Sequence, residues 1–482
     1  MNRHPVKQLL LLAKPPVYTV SFADSALLPH GKRADFARGK VAQVAKDGEI
    51  VRNDFDSIPI FQRPICNATW DANRRRWQDF VWQGEPQFSW SPTEEKREVL
   101  YQCRPFYYRL DMGGDSAPVR VSVTEAPLPG FQLAPMFKNG QDFVYRSAFA
   151  MGCDAQNIPH SRAGLVPYRG SANVLTKRAL RFDAAARCER TADWFSDLLL
   201  QWVEFATRDL GSVMRGAAPS YKSYTATHYK GEPLDLLHFP SASATDLCEG
   251  MTLQCKLFEG ADLYVDVVSL EQGEDGAVLA RIDQALDIEN EEYFEDVSYS
   301  FTATLQPWRA GAILPYLKAS SGERAVKSGF YGPCAWRGKE NPWGNTGSLL
   351  YDLSTCRNAH QGAGIYYLAD PLAWSGGDKL TEAWQKIPDL TFTGAVNGKI
   401  KGFRQSAERP FVLWPIAAAS SDSTVYYGAY AALLGTPPAM GIYAGAYQSN
   451  ALQNNPATLR STMMSASYQY GGGRLALFEG SN

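Results

Sequence analysis

Cys334-Ala335-Trp336-Arg337-Gly338-Lys339-Glu340-Asn341-Pro342-Trp343-Gly344-Asn345 is the most specific stretch of this 482-residue chain. Gly338, Pro342 and Gly344 let the backbone make irregular turns that ordinary residues resist. Trp336 and Trp343 can fill a core beneath long loops, where a few large side chains stand in for regular layers. Asn341 and Asn345 can hydrogen-bond nearby backbone and hold such loops in place. The block therefore reads as structural, with no chemistry of its own. From Ser328 onward Gly and aromatic residues dominate, and short strands and long loops are expected without a long helix.

Further along, Ser421 to Gly473 holds only two charged side chains, Asp422 and Arg460, against seven Tyr, seven Gly, six Ser and three Asn. Low charge normally means burial, yet this tract is too rich in Gly, Ser and Tyr for an ordinary core. Tyr supplies large, rigid, amphipathic contact area, and Ser, Gly and Asn adapt around it, as in a paratope. Candidate ligand contacts are Tyr426, Tyr427, Tyr430, Tyr443, Tyr447, Asn450, Gln453 and Asn455. Alternate residues of 426–430 and 443–447 face opposite sides if these are strands, so only a subset can meet a ligand. The tract closes on Gly473-Arg474-Leu475, with Arg474 expected to pair inward.

Working back from the block, residues 245–305 read as a small all-β insertion. Its predicted strands are Gly250 to Phe258, Leu263 to Leu270 and Val278 to Ile282. Asp287 to Asp296 carries six acids in ten residues, a solvated loop that lacks the alternating ligands and central Gly of a calcium loop. Two helices are predicted before the insertion. Thr176 to Cys188 has Ala179, Phe182 and Ala186 on one face, and Asp193 to Leu210 places Trp194, Leu198, Trp202 and Phe205 at helical spacing. Further upstream, Val99 to Arg109 reads as a strand broken near Pro105, and Phe143 to Phe149 as β. Val17 to Phe22 reads as a strand, and Asp35 to Lys46 as a short polar helix.

Composition narrows the possibilities. A net charge of −2 with scattered Lys and Arg shows no pull toward nucleic acid. No apolar run approaches the length that spans a bilayer, and no secretory signal is read at the N-terminus. The eight Cys are dispersed and read as buried thiols, with a Cys334 to Cys356 bridge as the alternative. None of the six His stands in a ligand pair, so no metal site is expected.

The block at 334–345 resembles the "RG-x-EN-P-[YW]-GN" motif of phage tail or fibre proteins with a C-type-lectin-like fold. Formylglycine-generating enzymes and the variable proteins of diversity-generating retroelements share that fold. Other stretches resemble these phage proteins in the same order: Asn53 to Ile58, Arg104-Pro105-Phe106-Tyr107, Pro129 through Met136 to Tyr145, Tyr426-Tyr427, Gly441 to Tyr447 and Gly473-Arg474-Leu475. The likeness covers roughly 50–482.

The resemblance implies an α+β, C-type-lectin-like fold with few helices, short strands, long loops and the all-β insertion. It divides the chain into a virion-attachment segment (1–50), a first lectin-like part with two helices (51–244), the insertion (245–305) and a C-terminal lectin-like domain (306–482). Trp336, Arg337, Gly338, Glu340, Asn341, Pro342, Trp343, Gly344, Asn345 and Arg474 are its structural residues. The implied function is a virion structural protein on a tail or capsid surface, a fibre or adhesin that recognises a host-surface glycan or protein. A non-binding head or baseplate decoration is the alternative.

The implied partners are the host receptor, other virion proteins through the N-terminal region and copies of the chain in a trimer. No cofactor is implied. An enzyme is not expected: no Cys follows Cys356, where the thiol chemistry of formylglycine-generating enzymes would need one, and no nucleophile elbow or phosphate loop is present. Asp54 and Asp56 could share a strand face like glycosidase carboxylates, but a turn with capping carboxylates is the expectation.

Overall fold

The computed structural model describes residues 15–23, 29–46, 49, 51–113, 118–217, 222–242, 244, 247–257, 262–273, 276–288, 297–317, 321–327, 330–358, 362–391, 396–419, 430–433, 439–445, 457–465 and 471–479. The architecture is mainly β, which corrects the α+β expectation. Among the described residues strands take 42% and helices 10%, and six strands close a barrel. The helical signal was local. The polar segment 35–46 is turn and short strand, and of the helix predicted over 176–188 only 176–179 is helical, as the end of Ala172–Ala179 (α1), while 180–188 is turn and a two-residue strand. Ser171 caps α1, its Oγ accepting from the Val174 N–H at 3.3 Å.

The second helix, Thr191–Phe205 (α2), stands close to its predicted place, and every residue in it is buried. It packs against strands Val17–Phe22, Val119–Thr124 and Gly347–Asn358. Asp352 on the last of these receives the Thr191 N–H (2.8 Å) and hydroxyl (2.7 Å), satisfying a helix-start donor from outside the helix. The far end stops where Ala206 turns left-handed, with φ 50°.

Around α2 lie four described sheets of four or more strands besides the barrel. A five-stranded antiparallel sheet runs in the order Lys32–Asp35, Val17–Phe22, Val119–Thr124, Tyr107–Asp111, Gln132–Leu133. Strands Val17–Phe22 and Lys32–Asp35 are thus paired into this sheet, while 1–14 and 24–28 lie outside the described residues. Pro105 does more than interrupt a strand: Arg97–Cys103 belongs to a different sheet from Tyr107–Asp111. A nine-stranded sheet gathers the C-terminal half, and its path runs from Trp384–Lys386 to Leu413–Ala419.

The barrel joins Ser223–Tyr229, Leu236–Phe239, Val278–Ile282, Asp262–Gln272, Thr252–Lys256 and Ser298–Leu305 in that order. It draws on two strands from before the predicted 245–305 segment. Their alternation, as in Ser223-Tyr224-Thr225-Ala226-Thr227, is the period-2 signal of a half-buried strand. Inward residues such as Leu253, Cys255, Val265, Val267, Ala280 and Phe301 form a core separate from that of the body.

Candidate functional site

The 334–345 block is folded by its own residue types. Arg337, Gly338, Asn341, Gly344 and Asn345 all have positive φ, between 44° and 82°. Asn tolerates that region better than most residues, and Gly enters it without cost. At Gly344 no other residue fits, because a Cβ would strike the Ala217 carbonyl oxygen. Trp336 and Trp343 are fully buried, as the sequence led us to expect.

Behind the block lies a buried ion network centred on α2. Arg337 donates to both Glu204 oxygens at 2.8 Å, and the Trp336 indole N–H adds a bond to Oε2 at 2.9 Å. Asn53 Nδ2 donates to Glu204 Oε1 at 2.7 Å, and Arg337 also reaches Asp56 at 3.0 Å. One turn or more away along α2, Asp197 receives Arg63 (2.6 Å) and Lys339 (3.0 Å). Lys339 also donates to Glu189 at 2.6 Å, and Arg146 joins Glu189 at 2.7 Å. Burial pushes the Glu189 carboxyl up, but Lys339, Arg146 and Arg474 outweigh it and bring the value down to about 2. Asp197 is held low by the same balance, with Arg63 and Lys339 opposing burial.

Arg474 turns inward, donating to the Ala148 carbonyl (3.1 Å) and to the Asn341 and Glu340 carbonyls. These groups are structural ties. Asp54 accepts from the Val41 N–H (2.8 Å) and pairs with Arg52 (2.8 Å), so neither it nor Asp56 forms a carboxylate pair for hydrolysis.

The same block seats the barrel. On the incoming side, the Asn345 N–H donates to the Ala217 carbonyl at 2.8 Å. On the outgoing side, Asn345 Oδ1 accepts the Trp308 N–H (2.6 Å) and Nδ2 donates to the Trp308 carbonyl (2.9 Å). The Glu340 carboxylate takes the Gly311 and Ile313 N–H groups at 3.0 to 3.2 Å. Burial lifts the Glu340 carboxyl to about 7, although those amides and Arg474 pull downward. Both connections to the barrel thus converge on residues 340–345.

Between the seated barrel and the body opens a cleft of about 620 Å³. The body contributes Cys153, Asp154, Asn157 and the 164–170 loop, and the barrel side contributes Tyr264, Gln306 and Arg309. Several polar side chains on the walls are held from behind. Gln306 Nε2 donates to Gln254 at 3.0 Å while its carbonyl receives Arg169. Arg309 ties Asp266 (2.9 Å), the Tyr264 carbonyl (3.2 Å) and the Gly164 carbonyl (3.1 Å), bridging barrel and body. Arg178 lies 4.4 Å from the Tyr168 ring centroid and donates to its hydroxyl at 2.8 Å. Asp154 accepts from the Ile158 N–H (2.7 Å), and His160 Nε2 lies 3.2 Å from its other oxygen. Partial burial pushes the Asp154 carboxyl up, but these bonds leave it below its ordinary value.

Two features of the cleft bear on reactivity. Burial pushes the Cys153 thiol up to about 11, so it carries little thiolate at neutral pH. His160 has Glu98 at 2.7 Å on Nδ1 and Asp154 on Nε2, which leaves neither ring nitrogen aimed at a hydroxyl or thiol. Among the described residues no three His, Cys, Asp or Glu side chains converge as metal ligands, and no disulfide joins the eight Cys, so Cys334 and Cys356 are not bridged.

The sequence-derived ligand contacts fall elsewhere. Tyr443 is fully buried on strand Met440–Ala444 and donates to the Gly170 carbonyl at 3.3 Å, which corrects its assignment as a ligand contact: it is core. Tyr430 begins strand Tyr430–Leu433. Tyr426, Tyr427, Tyr447, Asn450, Gln453 and Asn455 lie outside the described residues. Part of the low charge between 430 and 473 belongs to the buried strand Met440–Ala444, and Leu459 and Ser461 of strand Leu459–Met463 are buried as well. The cleft residues carried no motif; an aromatic and an arginine scattered over 150 positions give no periodic signal. No protein-family model matches the chain, and no curated protein matches it.

Proposed function

We propose that this chain is a phage virion protein that attaches the particle to its host, binding a surface glycan or protein without transforming it. The observation that carries the reading is the cleft between barrel and body, where Tyr168, Arg169, Gln306, Arg309 and Asp154 are each held by further bonds. Preorganised walls of that kind favour binding, because little side-chain freedom is lost on contact. The sequence resemblance to phage tail and fibre proteins supplies the setting, and the Tyr/Gly/Ser-rich tract supplies a second candidate contact surface.

The test is competition. Purified chain, added in excess to host cells, should slow adsorption of the phage that encodes it, and antibodies against the chain should label the tail in intact particles. Unimpeded adsorption at saturating chain, or particles that lack it, would overturn the reading. Label confined to the head, with no competition, would instead favour a decoration protein, for which exposed apolar side chains on the barrel such as Val268 and Val297 would serve as subunit contacts.

A further inference from the structure

We propose that the cleft between barrel and body is a subsite for an uncharged saccharide, with Tyr264 as its stacking platform. The proposal rests on the attachment reading and names the ligand class and the place. The volume, about 620 Å³, falls within the roughly 300–1,000 Å³ of small-molecule sites and suits a short oligosaccharide.

The wall chemistry selects among ligands. Sugars present hydroxyls that both donate and accept, and a C–H face that packs on aromatic rings. Tyr264 stands on the outward face of strand Asp262–Gln272 with about a third of its surface exposed, so a ring face is available. Across the cleft Tyr168 is fixed by Arg178. Arg169 is a donor oriented through Gln306, and Asp154 is an acceptor oriented through Ile158 and His160. A fixed donor and a fixed acceptor on one cleft match hydroxyl pairs. The walls set Arg169 and Arg309 against Asp154, and Arg309 is already paired with Asp266, so the charges nearly balance and select neither an anion nor a cation. An apolar ligand would leave the arginine and the carboxylate without replacement for water.

The experiment uses the full-length chain. It is screened on an array of bacterial lipopolysaccharide and capsule oligosaccharides, and the strongest hit is titrated calorimetrically against wild type, Tyr264→Ala, Tyr264→Trp and Val268→Ala. Val268 is exposed on the same strand and does not line the cleft, so it serves as the surface control. Tyr264→Ala should weaken binding about tenfold or more, as expected for loss of an aromatic anchor, while Tyr264→Trp and Val268→Ala stay near wild type. Circular dichroism and thermal midpoints should be alike for all four.

An empty array, or equal affinity for Tyr264→Ala and wild type, overturns the proposal. The adsorption assay separates this from failure of the attachment reading. If wild type and Tyr264→Ala compete equally with phage, the chain is an adhesin whose ligand lies elsewhere. If neither competes, the attachment reading falls too.

Discussion

Glu204 sits in a helix with no exposed residue, and its carboxyl oxygens meet four donors on three side chains: Asn53, Trp336 and two guanidinium nitrogens of Arg337. A buried carboxylate is tolerated only when its lone pairs are occupied. Removing one partner is therefore worse than removing both. Glu204→Ala should lower unfolding free energy by about 3–5 kcal/mol in denaturant titration, because it strands the Arg337 guanidinium. Arg337→Lys should also destabilise, since an ammonium cannot serve both carboxylate oxygens in the plane that the guanidinium does. Sequence reading reached this scale unevenly. Gly338, Gly344, Asn341 and the two tryptophans were legible because each type has a narrow physical use. Glu204, Asp197 and Glu189 were not: acids in an amphipathic pattern are assigned to solvent unless their cations, here 63, 146, 337 and 339, are known to lie opposite.

At the level of elements, α2 was legible from its aromatic spacing, and strands 17–22 and 278–282 matched their expected bounds. The barrel's first two strands were passed over, although Tyr224, Ala226 and His228 alternate with exposed or half-buried residues as a strand requires. Closure of a barrel is a long-range property, and 223–229 finds its partner at 298–305. The seat of that barrel makes a prediction. Asn345→Leu removes both bonds to Trp308 and should leave that buried backbone pair unsatisfied, at about 1–3 kcal/mol per group. Hydrogen exchange should speed up at 306–313 and at 216–217 while the amides of Val17–Phe22 keep their protection. Equal loosening in both places would mean that Asn345 supports the whole body and not the seat of the barrel.

For the whole molecule, pH acts through two opposed sets of carboxyls. Burial raises Glu340 from 4.5 to about 7 and Asp352 from 3.8 to about 6, so the folded state binds their protons more tightly than the unfolded chain. Their contribution is complete below the unfolded values and is lost as pH rises through the folded ones. Glu189 works the other way: lowered to about 2, it contributes above 4.5 and fades as pH falls toward 2. Stability should therefore peak near about pH 4 and decline on the alkaline side of that peak until about pH 7. Glu340→Gln should flatten that alkaline decline in denaturant midpoints measured across the range; an unchanged slope would remove Glu340 as its source. The cleft itself, assembled from 153–170, 264 and 306–309, was invisible to sequence reading, since only the seating of one core against another brings those positions together.

That seating has a further consequence. Ala217 and Trp308, on either side of the barrel, both bond to Asn345, so the two ends of an excursion of some ninety residues lie side by side. Cutting out 222–304 and closing the gap with a short Gly/Ser bridge should leave a body that still folds, with its tryptophan fluorescence and ion network preserved. A chain wired in this way can have its outer cassette replaced at two joints that lie side by side, while the buried charges that hold the body stay intact.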